Sequence, residues 1–305
     1  MAGAEQGWQR DYVGYGANPP DPKWPGGARV AVNFNLNYEC GGEANILDGD
    51  DTSEGMLNDI GFPAVPGMRN PLAESAFEYG SRVGVWRVLR IFDEFDVKMS
   101  ILGVATALER NPEATKAFVE LGHEIVSHGY RWIDYHFVDE ADERIHIQKA
   151  MMRIQQVAGV KPVGWMTGRP GPNTRRLLVE YGGFHYDRDA LNDELPYWVT
   201  VSGLPHLVIP YSYETNDNRC DQSNGFAQSD DFFQYMRDAF DLLWEEGADQ
   251  PGLLSIGLHD RLIGRPARAV GLIKLLDHMR EKGDVWFCTG ADIAAHWRKT
   301  HPYEA

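Results

Sequence analysis

Short apolar runs alternate with helix-patterned segments from residue 30 to the end of the chain, and this alternation constrains the fold more than any other feature. Val30, Val32, Phe34 and Leu36 alternate with smaller or polar residues, the period of a strand. Further strands are expected over 99–104, 124–127, 163–166, 184–187, 207–211, 253–258 and 285–288. Helical spacing falls between them, over 78–95, 139–157, 173–181, 229–246, 266–282 and 291–299. One more helix opens at Asn111-Pro112, a capping side chain followed by a proline at the first helical position, and stops at Gly122. Repetition of this kind builds a parallel sheet covered by helices. A chain of 305 residues suits an α/β fold of the irregular (β/α) barrel kind.

No Ser/Gly-rich linker, charge block or internal repeat divides the sequence, so residues 1–305 are expected to form a single domain. Residues 1–27, rich in Gly, Pro and aromatics, read as an arm over the surface. Residues 40–75 lack periodicity and read as a long loop excursion, the usual form of a lid, a binding loop or an oligomer contact. The net charge of −16 repels nucleic acid and anionic membranes, which removes both from the expected partners. Cys40, Cys220 and Cys288 lie too far apart for a disulfide framework or a zinc knuckle. With no apolar stretch near the N-terminus, the expected location is cytoplasmic.

Polar residues of catalytic type recur where the strands stop. Asn35, Asn37 and Glu39 finish the first; His128 and Asp134 follow another; Arg169 follows Met166-Thr167-Gly168. Asp187 and Asp189, Glu214 to Asp217, and His259-Asp260-Arg261 follow three more. Each alone is explained as a cap or loop residue. Together they mark a site, because parallel strands in a barrel end on one face. His128 and His259 are the sharpest pair, since an imidazole serves as acid or base near neutral pH.

The run Gly122-His-Glu-Ile-Val-Ser-His-Gly-Tyr-Arg-Trp132 delivers His128 from a strand into a Gly-containing turn. A second histidine four residues later would give a metal two ligands, but that position is Trp132. Asn37 stands where a carboxylate would serve a cation, so no metal ligands and no cofactor are assigned, although Glu39 or Asp134 keeps a weak site open.

At this point the residues resemble a known family. The segments are Tyr15 to Gly27, Leu36-Asn-Tyr-Glu39, Tyr79-Gly-Ser-Arg82, Gly103 to Ala107, Ser127 to Tyr135, Pro172 to Arg175, Thr215-Asn-Asp217, Gly257-Leu-His259, Gly264-Arg-Pro266 and His301-Pro-Tyr303. In this order they resemble the polysaccharide deacetylase (NodB-like) superfamily, and most closely its cofactor-independent allantoinase branch. The resemblance implies a NodB-like barrel, a homotetramer, and ring opening of allantoin to allantoate in purine degradation. Where that branch tends to have Thr-Ser this chain has Pro170-Gly171, and where it tends to have Cys this chain has Asp260. Both positions are expected to line the site, which widens the expected substrates to related cyclic amides, imides and ureides. A metal-dependent deacetylase of polysaccharide or peptidoglycan is the competing reading.

A hydantoin-type ring needs little help to open, because its leaving nitrogen lies between two carbonyls that delocalise the developing charge. On this reading Glu39 or His128 is the base for water and His259 the acid for the leaving nitrogen. Arg169 and Asn37 hold the carbonyls, Trp132 stacks on the ring, and Asp217 completes the binding set.

Overall fold

In the computed structural model, which describes residues 10–57, 59, 63–221 and 225–304, the described residues form one curled sheet of nine strands. The strands are β1 (Val30–Tyr38), β2 (Ser100–Gly103), β3 (Glu124–Ser127), β4 (Gly164–Trp165), β5 (Tyr186–Asp187), β6 (Tyr197–Val201), β7 (Leu204–Val208), β8 (Gly252–His259) and β9 (Val285–Phe287). Their order is β6-β7-β5-β4-β3-β2-β1-β8, with β9 beside the start of β1. All pairs are parallel except the β6–β7 hairpin. Parallel strands are buried on both faces, which is why β1 has no exposed residue.

The period of two along β1 separates two interiors. Val30, Val32, Phe34, Leu36 and Tyr38 pack in the core beneath the helices. The intervening Asn33, Asn35 and Asn37 are equally buried but turn to the concave side, where Asn33 meets Ser100 and Arg188, and Asn35 meets Ser255. Outside the sheet lie helices α1 (Pro71–Tyr79), α2 (Val85–Glu94), α3 (Ala105–Arg110), α4 (Pro112–Glu120), α5 (Glu140–Ala158), α6 (Thr174–Tyr181), α7 (Ser229–Glu246), α8 (Pro266–Lys282) and α9 (Gly290–Thr300). Asn111 caps α4 through its side chain, bonding Ala114 N at 3.1 Å as the sequence led us to expect.

Three elements differ from the sequence reading. The helix expected over 78–95 is two helices joined by a π-turn at Gly80–Gly84, because α1 starts earlier at its own Asn70 cap and Pro71. The segment before α4 is a separate short helix, α3. The strand expected over 207–211 sits at 204–208 and has a hairpin partner, β6, that periodicity alone did not reveal. Its turn, Ser202-Gly203, has φ of 50° and 77°, the paired positive angles that a tight hairpin requires.

The half-barrel is not closed by a ladder among the described residues. Residues 211–217 fill the gap and lie on β8: Gly257 N donates to Thr215 O at 2.9 Å, and Thr215 Oγ1 donates to Ser255 O at 2.6 Å. A Cβ on Gly257 would lie 2.3 Å from both Tyr211 Oη and Asn216 Nδ2, so only glycine lets this segment approach. Part of the expected arm, residues 1–9, and residues 58 and 60–62 of the expected 40–75 excursion lie outside the described residues. Trp24, farther along the arm, is buried and donates through Nε1 to Gly252 O at 2.9 Å. No described helix is long and apolar enough to cross a membrane.

Candidate active site

One line of register crosses the sheet: Tyr38 opposite Gly103, Gly103 opposite Ser127, Ser127 opposite Trp165, Trp165 opposite Asp187, and Asp187 opposite Val208. The next residue of each strand therefore leaves the sheet at the same level. This is how Glu39, His128 and Met166 come together, and β8 adds His259, which is in register with Asn37. They line a cavity of about 260 Å³ with Asn37, Leu57, Trp132, Gly168, Arg169, Tyr211, Tyr213, Asn216 and Asn218.

Glu39 is the hub. Its Oε1 lies 3.2 Å from His128 Nε2 and 3.7 Å from His259 Nε2, while its Oε2 lies 2.7 Å from the Arg261 guanidinium. Burial alone would raise its pKa, but Arg261 and the two imidazoles outweigh burial and hold the carboxyl well below the usual carboxylate range. Arg261 is itself fully buried and also donates to Leu57 O at 2.7 Å.

Both imidazoles are fixed by what lies behind them. His128 Nδ1 is 2.7 Å from Met166 O, and a carbonyl only accepts, so Nδ1 carries the proton and Nε2 faces Glu39. The Nε2 contact with Glu39 is then a hydrogen bond only when the ring holds a second proton. His259 Nδ1 lies 2.6 Å from Asp217 Oδ1, which orients its Nε2 in the same way. Gly168, at φ 75°, passes so close to His128 that a Cβ would lie 3.1 Å from the ring, and any side chain there would displace the imidazole. The Gly168 turn is clamped by Asp189, which accepts from the N–H groups of Thr167 and Gly168. Burial and the neighbouring Asp187 push Asp189 up to about 6.

Glu39, His128, His259, Asn37, Trp132 and Arg169 all line the cavity. Asp217, expected in the substrate-binding set, does not line the cavity: it is fully buried behind His259 and accepts from His259 Nδ1 and from the N–H groups of His259 and Ile263. Asn37 reaches the cavity, but its amide nitrogen is already bonded to Tyr211 Oη and Leu258 O, so it supports Tyr211 instead of offering that nitrogen to a carbonyl. One face of Trp132 carries the Arg169 guanidinium, 4.2 Å from the ring centroid, and Arg169 also meets Glu54 at 3.2 Å. Pro170, Gly171 and Asp260 do not line the cavity. Asp260 accepts from Cys40 Sγ at 3.1 Å and from the N–H of Arg261 at 2.8 Å. Sequence reasoning gave Arg261 no role beyond its place after a strand end, read Tyr211 only as one of several aromatics that could wall a flat ring, and missed Tyr213.

A catalytic metal, the expectation for a deacetylase, does not fit these donors. Trp132 replaces the second histidine of the turn, and the Asn37 amide is committed elsewhere. The Glu39 carboxylate faces a permanent cation at 2.7 Å, whose charge opposes a divalent ion in the same place. Asp134 is turned to its own loop, bonding His136 N at 2.9 Å. Among the described residues no group of three His, Cys, Asp or Glu is arranged to hold a metal.

The half-barrel, with a carboxylate between two imidazoles at its strand ends, has the groups a hydrolase uses. The chain belongs to the polysaccharide deacetylase family. The polysaccharide deacetylase family model matches residues 68–181. A Schizosaccharomyces pombe protein that carries the polysaccharide deacetylase name is 40% identical over 317 residues, covering 97% of this chain and 99% of that one. Among solved structures, PuuE allantoinase superposes with a TM-score of 0.95 at 53% identity, over 97% of this chain and 99% of that chain. A probable polysaccharide deacetylase from Pseudomonas aeruginosa PAO1 has a TM-score of 0.95 at 51% identity, over 97% and 100% of the two chains.

Proposed function

We propose that the protein hydrolyses a C–N bond of a cyclic amide or ureide, with allantoin to allantoate the leading case, and that its own side chains supply the chemistry. The observation that carries this reading is the convergence of two imidazole Nε2 atoms on one carboxylate oxygen, at 3.2 and 3.7 Å, inside a cavity of about 260 Å³. Such a volume is enough for one small heterocycle, since pockets for drug-sized ligands start at roughly 300 Å³. The similarity to PuuE allantoinase supports the same substrate class.

Hydrolysis needs water activated at the ring carbonyl and a proton delivered to the nitrogen as the C–N bond breaks. Asp217 stabilises a positive charge on His259, so His259 is the acid that protonates the leaving nitrogen from Nε2. Glu39 is weakened as a base by Arg261, so it holds the water; His128 Nε2 takes the proton from water, and the imidazolium that results then donates to Glu39. Arg169, which lines the cavity, holds a second carbonyl or the ureido tail.

Turnover of allantoin, hydantoin, succinimide, dihydrouracil and acetylated chitooligosaccharides by the purified protein tests the reading. Ring opening of at least one cyclic amide supports it; acetate release from the oligosaccharides alone sinks it.

A further inference from the structure

We propose that Tyr211 is a catalytic hydrogen-bond donor, whose hydroxyl proton points into the cavity and binds the carbonyl oxygen that becomes an oxyanion. The proposal rests on the cyclic-amide reading for its substrate, but the position of the proton follows from the site alone.

A phenol has one proton and two lone pairs. Both lone pairs of Tyr211 are filled: Asn37 Nδ2 donates to its oxygen at 2.9 Å and Asn216 Nδ2 at 3.1 Å. The two amides cannot be flipped, because each is fixed by backbone. Asn37 Nδ2 also faces the carbonyl of Leu258 at 3.1 Å, which only accepts. Asn216 Oδ1 faces the N–H of Asn218 at 2.8 Å, which only donates. Tyr211 is therefore a double acceptor, and among the described residues no acceptor is bonded to its own proton.

That proton has one direction left, the cavity that Tyr211 lines together with Glu39, His128 and His259. The residue is buried, 4% exposed, so the cavity is the hydroxyl's way to a ligand. Burial, against the opposing bond from Asn37, pushes its ionisation well above the ordinary tyrosine value, so it remains a donor across the working pH range. A fixed donor favours the oxyanion over the ground-state carbonyl without reorganisation, and removing one such donor costs about 100- to 1000-fold in kcat. The arrangement also accounts for two side chains that otherwise have no chemical task, Asn37 and Asn216.

Two measurements test it. Neutron diffraction from deuterium-exchanged crystals locates the Tyr211 deuteron whether or not the protein is active. A deuteron directed into the cavity is expected; one directed at an oxygen of Asn37 or Asn216 overturns the proposal. In steady-state kinetics, Tyr211→Phe should lower kcat about 100- to 1000-fold while KM stays within about threefold. A kcat within about threefold of the parent overturns the catalytic role. Should Tyr211→Phe fail to fold, 3,5-difluorotyrosine at 211 keeps both incoming bonds and changes only the acidity of the donor. An altered kcat then supports the proposal and an unchanged one overturns it. Wild-type protein that opens no cyclic amide, yet shows the deuteron in the cavity, sinks the substrate reading and the catalytic step together, leaving only the donor geometry.

Discussion

Asp217 grips His259 from two sides: its Oδ1 meets the ring Nδ1 at 2.6 Å, and its Oδ2 accepts the backbone N–H of the same residue at 2.7 Å. The carboxylate thus sets the ring's orientation and its tautomer together, and stabilises the charge that appears when Nε2 is protonated. Asp217→Asn should keep the fold but allow the amide to present its NH₂ group to Nδ1, leaving the ring proton on Nε2. We expect kcat to fall by about 100- to 10,000-fold with a much smaller change in KM. His259→Ala should show the same division, because its proton is needed only as the ring bond breaks. A raised KM with normal kcat in either variant would reassign the pair to binding.

Glu39→Gln should abolish turnover and also destabilise the protein by about 3–5 kcal/mol at pH 7, because it leaves the fully buried Arg261 without its anion. The pH dependence has a definite sign. Glu39 has a folded pKa below its unfolded value, so its contribution is present above the unfolded range near 4.3 and is lost as pH falls toward the folded value. The gap between parent and variant in urea melts should therefore be widest at neutral pH and narrow in acid. A gap independent of pH would show that the Glu39–Arg261 pair is not its source.

Asp260 carries the opposite sign. Burial, against the bond from Cys40, pushes its carboxyl up to about 6. A raised carboxyl stabilises the fold below its unfolded pKa, near 3.9, and that advantage is lost as pH rises through about 6. Asp260→Asn should then melt like the parent near pH 4 and gain on it above pH 6, by up to about 3 kcal/mol at about 1.4 kcal/mol per unit. Thermal melts of both proteins from pH 4 to 8 give the comparison, and parallel curves would contradict the account.

The fold was legible wherever local signals agreed. Helix α8 and the start of α7 fall where capping and spacing put them, because proline at the first helical position and periodic apolar residues are local causes. The β6–β7 hairpin was not legible, since both strands are half-exposed and short and their pairing depends on a neighbour in space. At the site, position after a strand end identified Glu39, His128, Arg169 and His259, because parallel strands share one exit face. Contact partners could not be read in this way. Asp217 looked like a substrate ligand, since sequence does not reveal which side of His259 it occupies. The ion pair of Arg261 with Glu39 joins residues 222 positions apart, and no spacing rule reaches that far.

Trp132, Asn37 and His128 line the same cavity, so a metal site can be rebuilt there. Trp132→His with Asn37→Asp supplies a second imidazole and a carboxylate beside His128, the minimal set for zinc with an open position. The double variant should bind zinc more tightly than the parent in calorimetric titration, and should lose ring opening because the wall that supports a flat substrate is gone. Equal zinc affinity in parent and variant would mean that the three side chains cannot converge on one ion.

The most direct test of metal-independent ring opening is the turnover of allantoin by protein treated with EDTA and checked for residual metal by elemental analysis. The account predicts allantoate formation at the rate of untreated protein, with no gain when zinc is added. Allantoin turnover abolished by EDTA and restored by zinc would contradict it, as would acetate release from acetylated chitooligosaccharides with allantoin left intact.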